Sequence, residues 1–201
     1  MSITTYSELQ TAIGNWLDRT DLSSRIPEFI ALFEAQINRR LRVRKQQTTT
    51  TLTVTAGSAT LPTDYLEWKR ITWTGSPNRQ LEYVTPEFLA GINQSSVTGP
   101  PSFFTIEGET LKVGPLDNTS LSMMYEQRLP ALTDSATTNW MLTAHPDGYL
   151  FGSLTMSATF TEDAQAGQAW NALTQNILGE IWGLDFVTRG TMTQRASGAT
   201  P

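Results

Sequence analysis

The sequence predicts an α+β chain, mainly α, in which two N-terminal and two C-terminal helices form a four-helix bundle around a β-rich insertion. Three observations predict it. Apolar residues recur at steps of three and four near both ends of the chain, the middle alternates every second residue, and each helical segment carries one apolar stripe that has to be covered. The expected division is a helical body of residues 1–45 and 130–190, a β-rich segment 46–129 and a flexible tail 191–201.

The first helix opens at Thr5-Tyr6-Ser7-Glu8, the form of a capping box, and continues through Leu9, Ile13, Trp16 and Leu17. A short polar connection, Asp21 to Ser24, implies a helical hairpin, with Ser23 or Ser24 as N-cap and Pro27 in the first turn of the second helix. Ile26, Phe29, Ile30, Phe33, Ile37 and Leu41 form that helix's stripe. Its end is read as cationic, with Arg39, Arg40, Arg42, Arg44 and Lys45 close together in a chain that has 14 Lys and Arg in all.

Strands are expected at Thr48–Thr55, Tyr65–Trp73, Leu81–Tyr83, Phe103–Ile106, Thr110–Val113 and Leu121–Gln127, with turns at Gly57-Ser58, Gly108 and Gly114-Pro115. Thr85-Pro86-Glu87 starts a short helix that Gly91 should limit. After Pro130 the helical spacing returns. His145-Pro146-Asp147 reads as a helix start, with His145 a structural cap, and Leu150, Phe151, Leu154 and Ala158 follow as a stripe. Glu162-Asp163 opens the last helix, where Gly179 and Gly183 call for compensation by packing or a close helix contact, and Gly190 ends it.

Composition narrows the chemistry. A net charge of -5 gives no global attraction to nucleic acid or an anionic membrane, so such contacts would be local. No cysteine is present, which removes disulfides and thiolate chemistry. The start lacks a basic region followed by an apolar run, and no apolar stretch is long enough for a helical membrane span; the expectation is a soluble intracellular product. His145 is the only histidine, so paired-histidine zinc motifs are impossible, and neither phosphate-binding glycine loop occurs; no cofactor or metal is expected. The carboxylates are scattered, with Glu162-Asp163 explained by the helix dipole and Asp185 a lone candidate. The cationic run therefore stands out as a contact surface for an acidic partner or phosphate backbone, weighed against a solvated helix end. The loop tips with Gly57, Ser58, Ser76 and Arg79 form a second candidate surface.

Several motifs occur in a characteristic order. Tyr6-Ser7-Glu8-Leu9, Trp16-Leu17-Asp18-Arg19-Thr20-Asp21-Leu22, Ile26-Pro27-Glu28-Phe29-Ile30, Glu34-Ala35 and Ile37-Asn38-Arg39-Arg40-Leu41-Arg42 come first. Gly99-Pro100, Phe104, Gly108, Leu111, Gly114-Pro115 and Tyr125 follow, then Asn139-Trp140-Met141-Leu142, His145-Pro146-Asp147 and Tyr149-Leu150. Together they resemble the adaptor, or head-to-tail connector, proteins of tailed bacteriophages, from Tyr6 to about Asp185. The resemblance implies a non-enzymatic structural virion protein that forms a ring, usually dodecameric, beneath the portal. Its implied partners are copies of itself, the portal, tail or nozzle proteins and, without specificity, packaged double-stranded DNA, with no membrane. It also implies assembly in the host cytoplasm and residence at the portal vertex, or neck, with a C-terminal tail that docks into the portal. The alternatives are a carboxylate-based hydrolase using Asp185 or His145, and another tail-completion protein.

Overall fold

In a computed structural model of the chain, the described residues are 3–94 and 97–188. In chain order they form α1 (Tyr6–Leu17), α2 (Ile26–Arg40), a 3-10 turn (Arg44–Gln46), β1 (Gln47–Val54), β2 (Ser58–Thr60), β3 (Tyr65–Trp73), β4 (Arg79–Gln80) and β5 (Glu82–Tyr83). Then come α3 (Pro86–Gln94), β6 (Phe103–Glu107), β7 (Thr110–Gly114), β8 (Thr119–Gln127), α4 (Trp140–Ala144), α5 (Pro146–Thr161) and α6 (Ala164–Thr188). Two compact units result, one of Met1–Lys45 with Leu129–Pro201, the other of Gln46–Arg128.

The four-helix bundle with a β-rich insertion is not what forms. Among the described residues there are six helices and two four-stranded sheets, and the helices are not arranged as a bundle. The reason lies in α5. It packs against α1, α2, α4 and α6, and it buries Tyr149, Leu150, Leu154 and Ala158 together with Gly148, Gly152, Ser153 and Ser157. A single stripe would need one neighbour; a helix buried on several sides becomes a hub. Gly152 shows how closely the neighbours approach, since a Cβ there would overlap the ring of Phe33. In addition, α4 is a separate helix before α5, and α3 lies in the unit that holds the sheets.

Local signals explain most helix starts. The Thr5 hydroxyl accepts from the Glu8 amide at 3.3 Å while Glu8 Oε2 accepts from the Thr5 amide at 3.0 Å, the reciprocal pair of a capping box. Before α2, however, neither Ser23 nor Ser24 is the cap. Arg25 occupies that position without a side-chain cap bond, and Pro27 sits in the first turn. The helix also stops at Arg40, short of the expected cationic end at Lys45. Leu41 and Val43 are both buried, so a two-residue alternation takes over and extends the chain there. Helix α3 runs past Gly91 to Gln94. At α6, Asp163 Oδ1 accepts from the Ala166 amide at 3.0 Å, but a Cβ at Gly179 or Gly183 would meet nothing within 4 Å, so the expected close helix contact is absent among the described residues. The expected stop at Gly190 and the tail from Thr191 lie outside the described residues.

In the sheet-bearing unit, one sheet runs β1-β8-β3-β4, antiparallel throughout, and the other runs β2-β7-β6-β5, with β5 and β6 parallel. Residues of both sheets, among them Leu52, Val54, Ile71, Phe104, Val113, Leu121 and Met123, share one apolar core. Ala56 and Gly57, at φ 49° and 74°, are the two left-handed residues of the turn between β1 and β2, and only the glycine adopts that conformation without strain. The helical unit has its own core, with Phe33, Ile37, Met141 and Tyr149 fully enclosed.

Candidate interaction site

The cationic run does not sit on one helix tip. Arg39 and Arg40 close α2, and the Arg40 guanidinium approaches Gln175 Oε1 at 3.5 Å. Arg42 Nη1 donates to the carbonyls of Asn38 and Leu41 at 2.9 and 2.8 Å, which satisfies acceptors that the helix end leaves open. The Arg44 amide and Nε donate to Asp185 Oδ1 at 3.0 and 3.2 Å, pinning the segment after α2 to the end of α6. Arg39 and Lys45 are exposed and have no ion pair among the described residues. Arg42 and Arg44 thus hold the fold, Arg40 makes one long contact to α6, and Arg39 and Lys45 remain available for an outside partner.

A cavity of about 660 Å³ opens beside Arg44 and Lys45. Val43, Trp140, Ile181 and Leu184 give it apolar walls, while Thr143, Ala144, His145 and Asp185 complete the lining. The sequence pointed to Lys45, His145 and Asp185 separately; the structure brings all three to one cavity. His145 joins α4 to α5 and makes no side-chain cap bond, so the expected cap is a backbone position only, followed by Pro146 in the first turn. Asp147 Oδ1 accepts from the Gly148 amide at 3.0 Å. What sequence reasoning missed is the wall. Trp140 belongs to one of the ordered motifs, and Ile181 and Leu184 lie on α6, but no local signal ties them to Lys45.

The second expected surface divides. Gly57 is buried in its turn and Ser58 begins β2. Ser76 is exposed, and the Arg79 guanidinium lies over the Trp73 ring at 5.1 Å and donates to Ser102 Oγ at 3.3 Å.

A buried polar network also unites distant motifs. Tyr149 Oη donates to Glu34 Oε1 at 3.0 Å, and the Leu132 amide donates to the same oxygen at 2.9 Å. Asn139 Nδ2 donates to Tyr149 Oη at 2.6 Å and to the Pro130 carbonyl at 2.8 Å, while its Oδ1 caps α4 through the Met141 and Leu142 amides. Burial raises the Glu34 carboxyl above its usual range, against the lowering effect of its two donors. The Tyr149 phenol is pushed far up by burial and by the adjacent carboxylate. This is a clamp, tying the 129–139 segment to α2 and α5, and Glu34 is a position the sequence left without a role.

No group of three or more His, Cys, Asp and Glu that could hold a metal ion occurs among the described residues, and no described helix is long and apolar enough to cross a membrane. The arrangement offers an apolar recess with a cation at its edge, which suits recognition of a partner surface. In comparison with known families, residues 4–200 match the model of the SU10 adaptor protein family. No curated protein matches the chain.

Proposed function

This chain belongs to the SU10 adaptor protein family, a family of phage head–tail adaptors, and on that premise we propose that it forms a ring beneath the portal which joins the DNA-filled head to the tail. The ring is dodecameric, and the protein works by assembly, with no covalent step. Its partners are other copies, the portal, tail or nozzle proteins and, without specificity, the DNA that passes through. It assembles in the host cytoplasm and resides at the neck of the virion. Residues 1–45 and 130–190 serve as the ring body and 46–129 reaches neighbours.

The observation that carries this reading is the family match over nearly the whole chain. The cavity beside Lys45 supports it, because an apolar recess with a charged edge is useful for docking a folded partner. The contacts are made by Arg39 and Lys45 directly, while Arg40, Arg42 and Arg44 shape the same surface. Gly57, Ser58, Ser76 and Arg79 belong to a second contact region.

The test is native mass by light scattering, with and without a cognate portal ring. A 22.3 kDa chain should move to a ring-sized species or bind portal stoichiometrically. Changing Arg39 and Lys45 together to Glu should impair that assembly and leave the circular dichroism spectrum unchanged. A chain that stays at monomer mass and ignores portal overturns the reading.

A further inference from the structure

We propose that the cavity beside Lys45 receives the Glu87-Phe88 corner of a second copy of this chain; this rests on the ring reading and names the two surfaces that meet. The receiving side is already built. Val43, Trp140, Ile181 and Leu184 line it, Lys45 stands at its edge with no ion pair among the described residues, and Asp185 is engaged by Arg44. The Trp140 indole N–H is buried without an acceptor among the described residues, so the ring gives up no hydrogen bond to them if it turns toward an incoming carbonyl.

The entering side is equally specific. Phe88 is 54% exposed on α3 and rests edge-on against Phe103 at 5.8 Å. Glu87 precedes it, and Glu82 is register partner to Phe103; both glutamates are exposed and outside every ion pair among the described residues. An exposed aromatic ring, with one unpaired carboxylate next to it in sequence and a second paired in register with the Phe103 it touches, complements an apolar recess with an unpaired lysine.

The competing occupants fit less well. Residues 189–201 contain Arg189 and Arg195 and no Asp or Glu, the wrong sign for Lys45. A DNA phosphate could meet Lys45 but would leave the apolar walls in water. Phe160 is as exposed as Phe88, yet it lies under the Arg25 guanidinium at 5.7 Å and carries a cation where a carboxylate is needed. Because recess and corner are different surfaces, the contact is head-to-tail, and repetition closes a ring when the rotation between copies permits.

The absence of native cysteine makes the test clean. Single variants Phe88→Cys and Leu184→Cys are mixed in the full-length chain and mildly oxidised, and the mixed disulfide dimer should dominate over either same-variant dimer. In parallel, Phe88→Ala should weaken self-association about tenfold or more. Lys45→Glu and Glu87→Lys should each weaken it several-fold, and combining both in one chain should restore it. Mixed disulfides no more abundant than same-variant ones, or charge reversals without effect, overturn the proposal. Wild-type chain that assembles on portal while the disulfide fails would remove this pair and keep the ring. A disulfide that forms in chain that never assembles on portal would keep the pair and remove the ring.

Discussion

Glu34 shows how one residue can serve the fold at a measurable cost. The residue is 6% exposed, and its carboxyl has no cation beside it in the network described and receives two hydrogen bonds, from Tyr149 and from the Leu132 amide. Desolvation disfavours the charged form and wins over those donors, so the folded pKa lies above the ordinary 4.5. A group with a raised folded pKa contributes stability that is fully present below its unfolded pKa and is lost as pH rises through the folded value. Thermal unfolding followed from acid to neutral pH should therefore contain a falling contribution beginning near the ordinary glutamate range. Glu34→Gln keeps an acceptor for Leu132 and Tyr149 but cannot ionise, and its melting curve should lack that contribution. The same pH slope in both proteins would remove Glu34 as its source.

Individual elements differ in how far the sequence disclosed them, and the difference is physical. Helix α1 was legible because its capping box and its stripe both lie within a few residues of one another. The end of α2 was not, since Leu41 follows Ile37 at a helical step and also begins the alternation with Val43; burial of both settled the competition toward extended backbone. The hub role of α5 was hidden because Gly148, Gly152, Ser153 and Ser157 carry no apolar signal, although all are buried. At the candidate site the cations and His145 could be seen, whereas the pairing of Arg44 with Asp185 spans 141 positions and leaves no local trace. Helix α6 gives the sharpest test at this scale. Gly179 is exposed, with open space among the described residues where a methyl group would project, so it weakens the helix without packing in return from them. Gly179→Ala should stabilise the monomer by about 0.5–1 kcal/mol in chemical denaturation. If the same variant also disrupts assembly, the glycine serves a contact between copies; if it leaves stability unchanged, the helix is held by forces other than propensity.

Across the whole molecule, each unit carries its own apolar core, and the β-bearing unit is one continuous stretch, Gln46–Arg128. Gln47 pairs with Glu126 across β1 and β8, so the two ends of that stretch lie side by side. Both facts bear on autonomy. A segment whose ends meet needs no outside scaffold to close its sheets, and a unit with a shared core between two sheets buries enough apolar surface to fold by the usual size argument. Residues 46–128 expressed alone should therefore give a β-type circular dichroism spectrum and a single cooperative unfolding transition. Leu121, fully buried in that core, supplies the control: Leu121→Ala should lower the midpoint of the excised unit, at a cost of about 2–5 kcal/mol. An excised unit that stays unfolded would mean that its sheets depend on the rest of the chain, and that 46–129 does not act as a separate arm of the ring.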